Sequence, residues 1–85
     1  MKYIVYVLSS CVAKKSYVGF TDNLARRIKE HNSGKSIYTK RYKPWKLIYT
    51  EEFENYVDVR KREKYLKSAS GRRIVLKRIF NNLID

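Results

Sequence analysis

Arg27, His31 and Glu63 are polar side chains standing where the surrounding pattern calls for apolar ones. Residues three and four apart share a helix face, so Leu24, Arg27, Ile28 and His31 form one stripe with a cation and an imidazole among two core positions. A second helical stripe, Tyr56, Val59, Glu63 and Leu66, carries a carboxylate in the same kind of place, while Arg60, Lys61, Arg62 and Lys64 fall on the side expected to meet water. An ionised carboxylate at an apolar face needs a cation or a metal beside it. As a lone carboxylate, Glu63 suits Mg²⁺ or Mn²⁺, hard cations that take one or two carboxylates and complete their shell with water and phosphate oxygen. Arg27 stays charged at any working pH and presents a planar fork that fits the paired oxygens of a phosphate. The pattern alone equally allows a surface arginine. Arg26 projects about 100° away around the helix, toward backbone phosphate or solvent. Read alone, His31 is more simply a helix-end histidine with its hydrogen bonds met than a proton carrier.

The elements that must position these groups can be read from the pattern of side chains. Tyr3 to Leu8 is a β-branched and aromatic run with Ile4, Tyr6 and Leu8 on one face and Tyr3, Val5 and Val7 on the other, so both faces are expected to be covered. Ser9 to Ser16 is a polar hairpin loop that returns into Tyr17 to Phe20 as an antiparallel partner, which brings Tyr6 and Tyr17 together. Gly19 is expected to leave space where the strand turns toward the helix and substrate approaches. Thr21 or Asp22 is expected to cap the first helix, which runs to about Asn32 and stops at Ser33-Gly34. Lys35 to Lys43 reads as a basic loop closed by Pro44, and Lys46 to Phe53 alternates like a third strand. Asn55 then caps the second helix. Ser70 or Gly71 opens a third, with Ile74, Val75, Ile79 and Leu83 inward. The predicted fold class is α+β, a small three-stranded antiparallel sheet flanked by helices in the order β-β-α-β-α-α, forming a single domain over residues 1–85.

Twenty Lys and Arg against eight Asp and Glu give a formal charge of +12, far more than solubility requires, and point to a polyanionic partner. Nucleic acid comes first. A membrane surface would attract the same charge, but no segment approaches the ~20 apolar residues of a transmembrane span and no charged-then-apolar signal opens the chain, so a cytoplasmic location is expected. The single cysteine, Cys11, has no partner for a disulfide or a cysteine-rich metal site. Glu51, Glu52, Glu54 and Asp58 crowd one edge, which should face away from phosphate.

Ile4-Val5-Tyr6 in the first strand, Tyr17-Val18-Gly19 in the second, Arg27 and His31 on the first helix, and Glu63 later resemble the GIY-YIG nucleases in order and approximate spacing, over roughly the whole chain. The stretches Tyr42-Lys43-Pro44-Trp45-Lys46-Leu47-Ile48-Tyr49 and Arg62-Glu63-Lys64-Tyr65-Leu66-Lys67 look like the small stand-alone bacterial branch. Ile4 replaces the glycine of the first motif, and Val5 and Val18 replace isoleucines. The resemblance implies a metal-dependent endonuclease that hydrolyses phosphodiester bonds, with DNA favoured over RNA and a repair or recombination type of structure selectivity. It gives the catalytic arginine to Arg27 and the metal to Glu63. Tyr6 would accept a proton from the attacking water, Tyr17 would orient water or phosphate, and His31 would bond the phosphate or Tyr6 or assist proton transfer. A neutral tyrosine is a poor base unless a metal or arginine lowers its pKa; this site would supply both.

For the nucleic-acid surface, the loop residues Lys35, Tyr38, Lys40, Arg41, Tyr42 and Lys43 interleave cations with aromatics, as do surfaces that grip phosphate and stack on unpaired bases. Gly19 and Arg26 join them as contacts. Arg72, Arg73, Lys77 and Arg78 would extend the phosphate footprint along the last helix. Tyr3, Tyr49, Tyr56 and Tyr65 read as packed aromatics. The competing reading is a catalytically weak or inactive nucleic-acid-binding module, which the charge fits equally well.

Overall fold

A computed structural model describes the backbone of residues 2–84, with side chains as far as Asn81. Strand β1 (Tyr3–Ser10) lies at the centre of a three-stranded antiparallel sheet, between β2 (Ser16–Thr21) and β3 (Trp45–Phe53), in the order β2-β1-β3. Its position explains its sequence: Val5, Tyr6, Val7 and Leu8 are all buried because helices cover both faces. Val5 and Val7 meet Val18, Val59, Leu66 and Leu76, whereas Tyr6 and Leu8 meet Trp45, with Leu24 and Ile28 packed alongside. A register shift between Val7 and Leu8 marks an irregularity in the pairing with β3.

Helix α1 (Leu24–Ser33) follows β2 directly and covers the Tyr6 face. Its cap is Asn23, whose side chain accepts from the Arg26 amide, and not Thr21 or Asp22; Thr21 Oγ1 instead accepts from the Asn23 amide at 3.0 Å and fixes the approach to the cap. Gly34 ends the helix with φ 90°, a left-handed conformation that glycine adopts without penalty. The expected loop from Lys35 to Lys43 contains a short helix, α2 (Ile37–Lys40), pinned by the Trp45 indole, which donates to the Thr39 carbonyl at 2.7 Å. Four residues are too few to show periodicity, so only this tertiary anchor distinguishes them from loop.

Helix α3 (Tyr56–Lys67) packs on the opposite face and is capped by Asn55, as its sequence indicates. Val59, Glu63 and Leu66 point inward, while Tyr56, expected with them, is half exposed and rests edge-on against Tyr3 and Phe20. Ser68 caps the next turn, α4 (Ala69–Gly71), by accepting from the Gly71 amide. A π-helical stretch (Arg72–Leu76) then leads into α5 (Lys77–Ile84). Gly71 is buried within this turn and does not open a helix; a side chain there would collide with the Tyr65 carbonyl. The expected inward phase also changes. Ile74 is 51% exposed and Leu76 is buried, because the inward stripe is Val75, Leu76, Ile79 and Phe80, spaced one, four and five residues apart, and Ile74 falls beside it. Val75 and Ile79 pack against the core as expected, joined by Phe80; the side chain of Leu83 lies outside the described residues.

Candidate active site

The cluster starts at the β1–β2 pairing. Tyr6 stands opposite Gly19 and Leu8 opposite Tyr17, so the Tyr6 and Tyr17 rings lie diagonally on one face with centroids 6.2 Å apart. A Cβ on Gly19 would sit 2.7 Å from the Tyr6 hydroxyl and 2.9 Å from the Tyr17 ring. Gly19 is therefore buried beneath the two tyrosines, and its missing side chain makes room for them rather than for an approaching ligand.

Helix α1 brings Arg27 and His31 to the same face. His31 is fully buried, with Nε2 2.9 Å from the Tyr6 hydroxyl and Nδ1 2.8 Å from Thr39 Oγ1. Burial, aided by the positive charge of Arg27, lowers the His31 pKa to about 4, so the ring is neutral at pH 7. A neutral imidazole has one donor and one acceptor nitrogen. With Nδ1–H directed to Thr39, Nε2 accepts from Tyr6, making a buried chain Tyr6–His31–Thr39.

Burial also pushes the Tyr6 pKa up to about 12, with Tyr17 and the Glu63 carboxylate acting in the same direction, against a lowering by Arg27. Tyr6 is 1% exposed, and loss of hydration outweighs the neighbouring arginine, so of the two lowering influences expected here, arginine and metal, the arginine by itself does not suffice. Arg27 is partly exposed and donates to Glu30 at 3.0 Å, leaving further guanidinium N–H groups for another acceptor. Arg26 lies outside, 3.7 Å from Asp22 and 3.9 Å from Glu30.

Glu63 reaches the site from the other side of the sheet. Its side chain is 8% exposed, and its two oxygens are held separately, Oε1 by Arg60 at 3.0 Å and Oε2 by Lys67 at 3.1 Å. The partner demanded by a buried carboxylate is thus supplied by its own helix, and Arg60, expected to be merely solvated, is one of the two. Arg62 is also engaged, forking onto Glu51, which in turn accepts from the Tyr49 hydroxyl. Among the described residues no group of three or more His, Cys, Asp or Glu could hold a metal. The donor set nonetheless fits one hard cation: a single hard carboxylate whose oxygens retain free lone pairs, flanked by two cationic tips that are about half exposed and would have to turn outward for a metal to bind.

Thr39 and Lys67 were not singled out in the sequence. Thr39 offered no signal, being one hydroxyl in a basic segment. Lys67 did: Glu followed four residues later by Lys is the favoured order for a helix-surface pair. Its ammonium lies 5.9 Å from the Tyr17 ring centroid and so links Glu63 to the tyrosines. Beyond Tyr17 the aromatic rings continue, with Tyr38 at 6.1 Å, then Tyr42 at 5.9 Å, and Lys15 over the Tyr42 ring at 5.6 Å. Lys35, Lys40, Arg41 and Lys43 are exposed beside this row.

A family model described as the GIY-YIG catalytic domain matches residues 2–76. The UPF0213 protein of Clostridium perfringens is 45% identical over 67 residues, 78% of this chain and 71% of that protein. A UPF0213 protein of Syntrophus aciditrophicus is 42% identical over 71 residues, covering 81% of this chain and 80% of that protein. The solution NMR structure of the UPF0213 protein from Bacillus halodurans superposes with a TM-score of 0.57 at 30% identity, over 91% of this chain and 84% of that one.

Proposed function

The chain belongs to the GIY-YIG catalytic domain family, and on that premise we propose that it is an endonuclease hydrolysing nucleic-acid phosphodiester bonds with one divalent metal, Mg²⁺ or Mn²⁺. The family is one of nucleases, so nucleic acid is the substrate class. The observation that carries the finer reading is the buried Tyr6–His31–Thr39 chain beside Arg27. In this reading Arg27 exchanges Glu30 for the oxygens of the scissile phosphate and holds the charge that develops on them. Tyr6 accepts a proton from the attacking water as its own hydroxyl proton passes to His31 Nε2, which avoids forming a buried tyrosinate. Half-buried Tyr17 orients water or phosphate at the open side. Glu63 would hold the metal, whose charge offsets that of the phosphate. Phosphate bound at Arg27 would also remove part of the field that depresses His31, making it a better acceptor when substrate is present.

We assign DNA as the preferred polymer and a structural feature, such as a flap, nick or branch, as the target. The row Tyr17, Tyr38, Tyr42 with its lysines suits unpaired bases and their phosphates better than a closed duplex. The test is cleavage of labelled single-stranded, duplex, flap and branched DNA, and matching RNA, with and without Mg²⁺ or Mn²⁺. Glu63→Ala should abolish cutting while leaving affinity within a few-fold, because a carboxylate opposes phosphate; equal cutting by mutant and parent would remove the metal assignment. A second reading, a nucleic-acid-binding module without effective turnover, draws on the two cations that close over Glu63. Metal-independent binding with no product on any substrate would establish it.

A further inference from the structure

Next to the candidate site, a hollow of about 300 Å³ straddles the free edge of β2. Buried Val18 and Leu66 form its floor, Tyr17 and Tyr38 its aromatic wall, and Lys67 and Arg72 its cationic rim. None of the groups placed in the chemistry needs this space, although Tyr17 faces it and Lys67 ties it to Glu63. We propose that the hollow takes one unstacked nucleobase of the strand being cut, adjacent to the phosphate held at Arg27, with Lys67 and Arg72 on the adjoining phosphate. The inference rests on the nuclease reading and adds to it a base-binding subsite.

Three observations support that occupant. An inorganic anion would leave the apolar floor unfilled, and an apolar ligand would leave the exposed Arg72 guanidinium, and the donors of Lys67 beyond its bond to Glu63, facing no anion; a nucleotide satisfies both. Tyr38 is 49% exposed, with its ring tilted 34° from that of Tyr17 and 59° from that of Tyr42, so neither neighbour stacks on it in parallel and half of its surface is accessible to a base. Arg72 begins the π-helical stretch, a geometry that recurs at functional positions, and is exposed at the lip of the hollow.

The test compares binding of pentadeoxyadenylate with that of an abasic pentamer carrying the same phosphates, in chelator so that no cutting occurs, with methyl NMR of the protein as the second readout. The pentadeoxyadenylate should bind about tenfold more tightly, the effect of roughly one base–aromatic stack, and should shift the Val18 and Leu66 methyl signals where the abasic strand does not. Tyr38→Ala should erase the difference and Tyr38→Phe restore it. Equal affinity for the two strands would overturn the subsite. So would a preference for bases that leaves the Val18 and Leu66 methyls unmoved, because the stacking would then lie elsewhere on the aromatic row. Since neither readout needs turnover, failure of the nuclease reading shows only in the cleavage assay and failure of the subsite only here.

Discussion

Arg26 and Arg27 carry the same charge on adjacent residues, yet the helix gives them different work. Arg27 stands beside Tyr6, and Arg26 pairs outside with Asp22 and Glu30. If Arg27 clamps the phosphate, Arg27→Lys keeps the charge and loses the fork, so single-turnover cleavage should fall by roughly 10²-fold or more, the usual effect of removing one preorganised donor. Arg26→Lys should be nearly silent. A larger defect at Arg26 would displace the site from this face. His31 gives a prediction that does not depend on activity. Its folded pKa, near 4, lies below the ordinary 6.5 because burial disfavours the charged ring. The unfolded chain therefore binds the extra proton first. The stability associated with neutral His31 is complete above about pH 6.5 and is lost as pH falls through about 4, amounting to about 3 kcal/mol at ~1.4 kcal/mol per pKa unit. Urea titrations at pH 7 and 5 should show about 2 kcal/mol of that loss in the parent and a shallower one in His31→Asn, whose amide does not titrate; parallel slopes would contradict the buried neutral ring.

At the scale of elements, the segment from α3 into α5 fixes which of two neighbouring aliphatics is inward. The sequence reading puts Ile74 there, and the structure puts Leu76 there instead, on one stripe with Val75, Ile79 and Phe80. Leu76→Ala should cost about 2–5 kcal/mol, as large-to-small core changes do, while Ile74→Ala should stay within about 0.5 kcal/mol, as exposed changes do. Denaturant midpoints of the two variants check this, and the reverse order would restore the phase with Ile74 inward. The same scale explains how Glu63 joins groups on the opposite face of the sheet. Strand β2 is an edge strand, so the end of α3 can reach its outer side, where Lys67 comes over Tyr17.

For the whole molecule, the +12 charge sets how binding responds to salt. Each phosphate neutralised releases a counterion, and log K falls by about 0.9 per contact per log unit of salt on duplex DNA. Affinity measured between 50 and 200 mM salt, on the order of the range where such slopes are read, should fall steeply on every substrate. A flat response would mean that the basic surface does not contact the backbone. Substituting Tyr38 and Tyr42 with alanine should leave that slope alone and weaken single-strand and flap binding more than duplex binding, because stacking needs an unpaired base. Equal losses would confine the loop to phosphate contacts.

The sequence alone was enough to determine the three strands to within two residues of their ends, with Ser9, Ser10 and Ser16 joining strands where a loop was expected, the opposite faces of Val5 and Val7 and of Tyr6 and Leu8, the end of α1 at Gly34 and the cap at Asn55. These depend on alternation, helical repeat and local cap chemistry, which act over a few residues. The family was legible for a related reason: five residue types of the family's pattern keep their order and approximate spacing along the chain. Tertiary structure decided the short α2 and the rise of the Tyr6 pKa to about 12, which depend on what packs against a residue from a distant part of the chain. The cap at Asn23 and the closure of Glu63 by Arg60 and Lys67 are bonds within four residues along the chain, whose candidates the sequence offers without ranking them. Trp45 anchors Thr39 so that it can hold His31, and burial around Tyr6 outweighs the adjacent guanidinium; no local period encodes either balance.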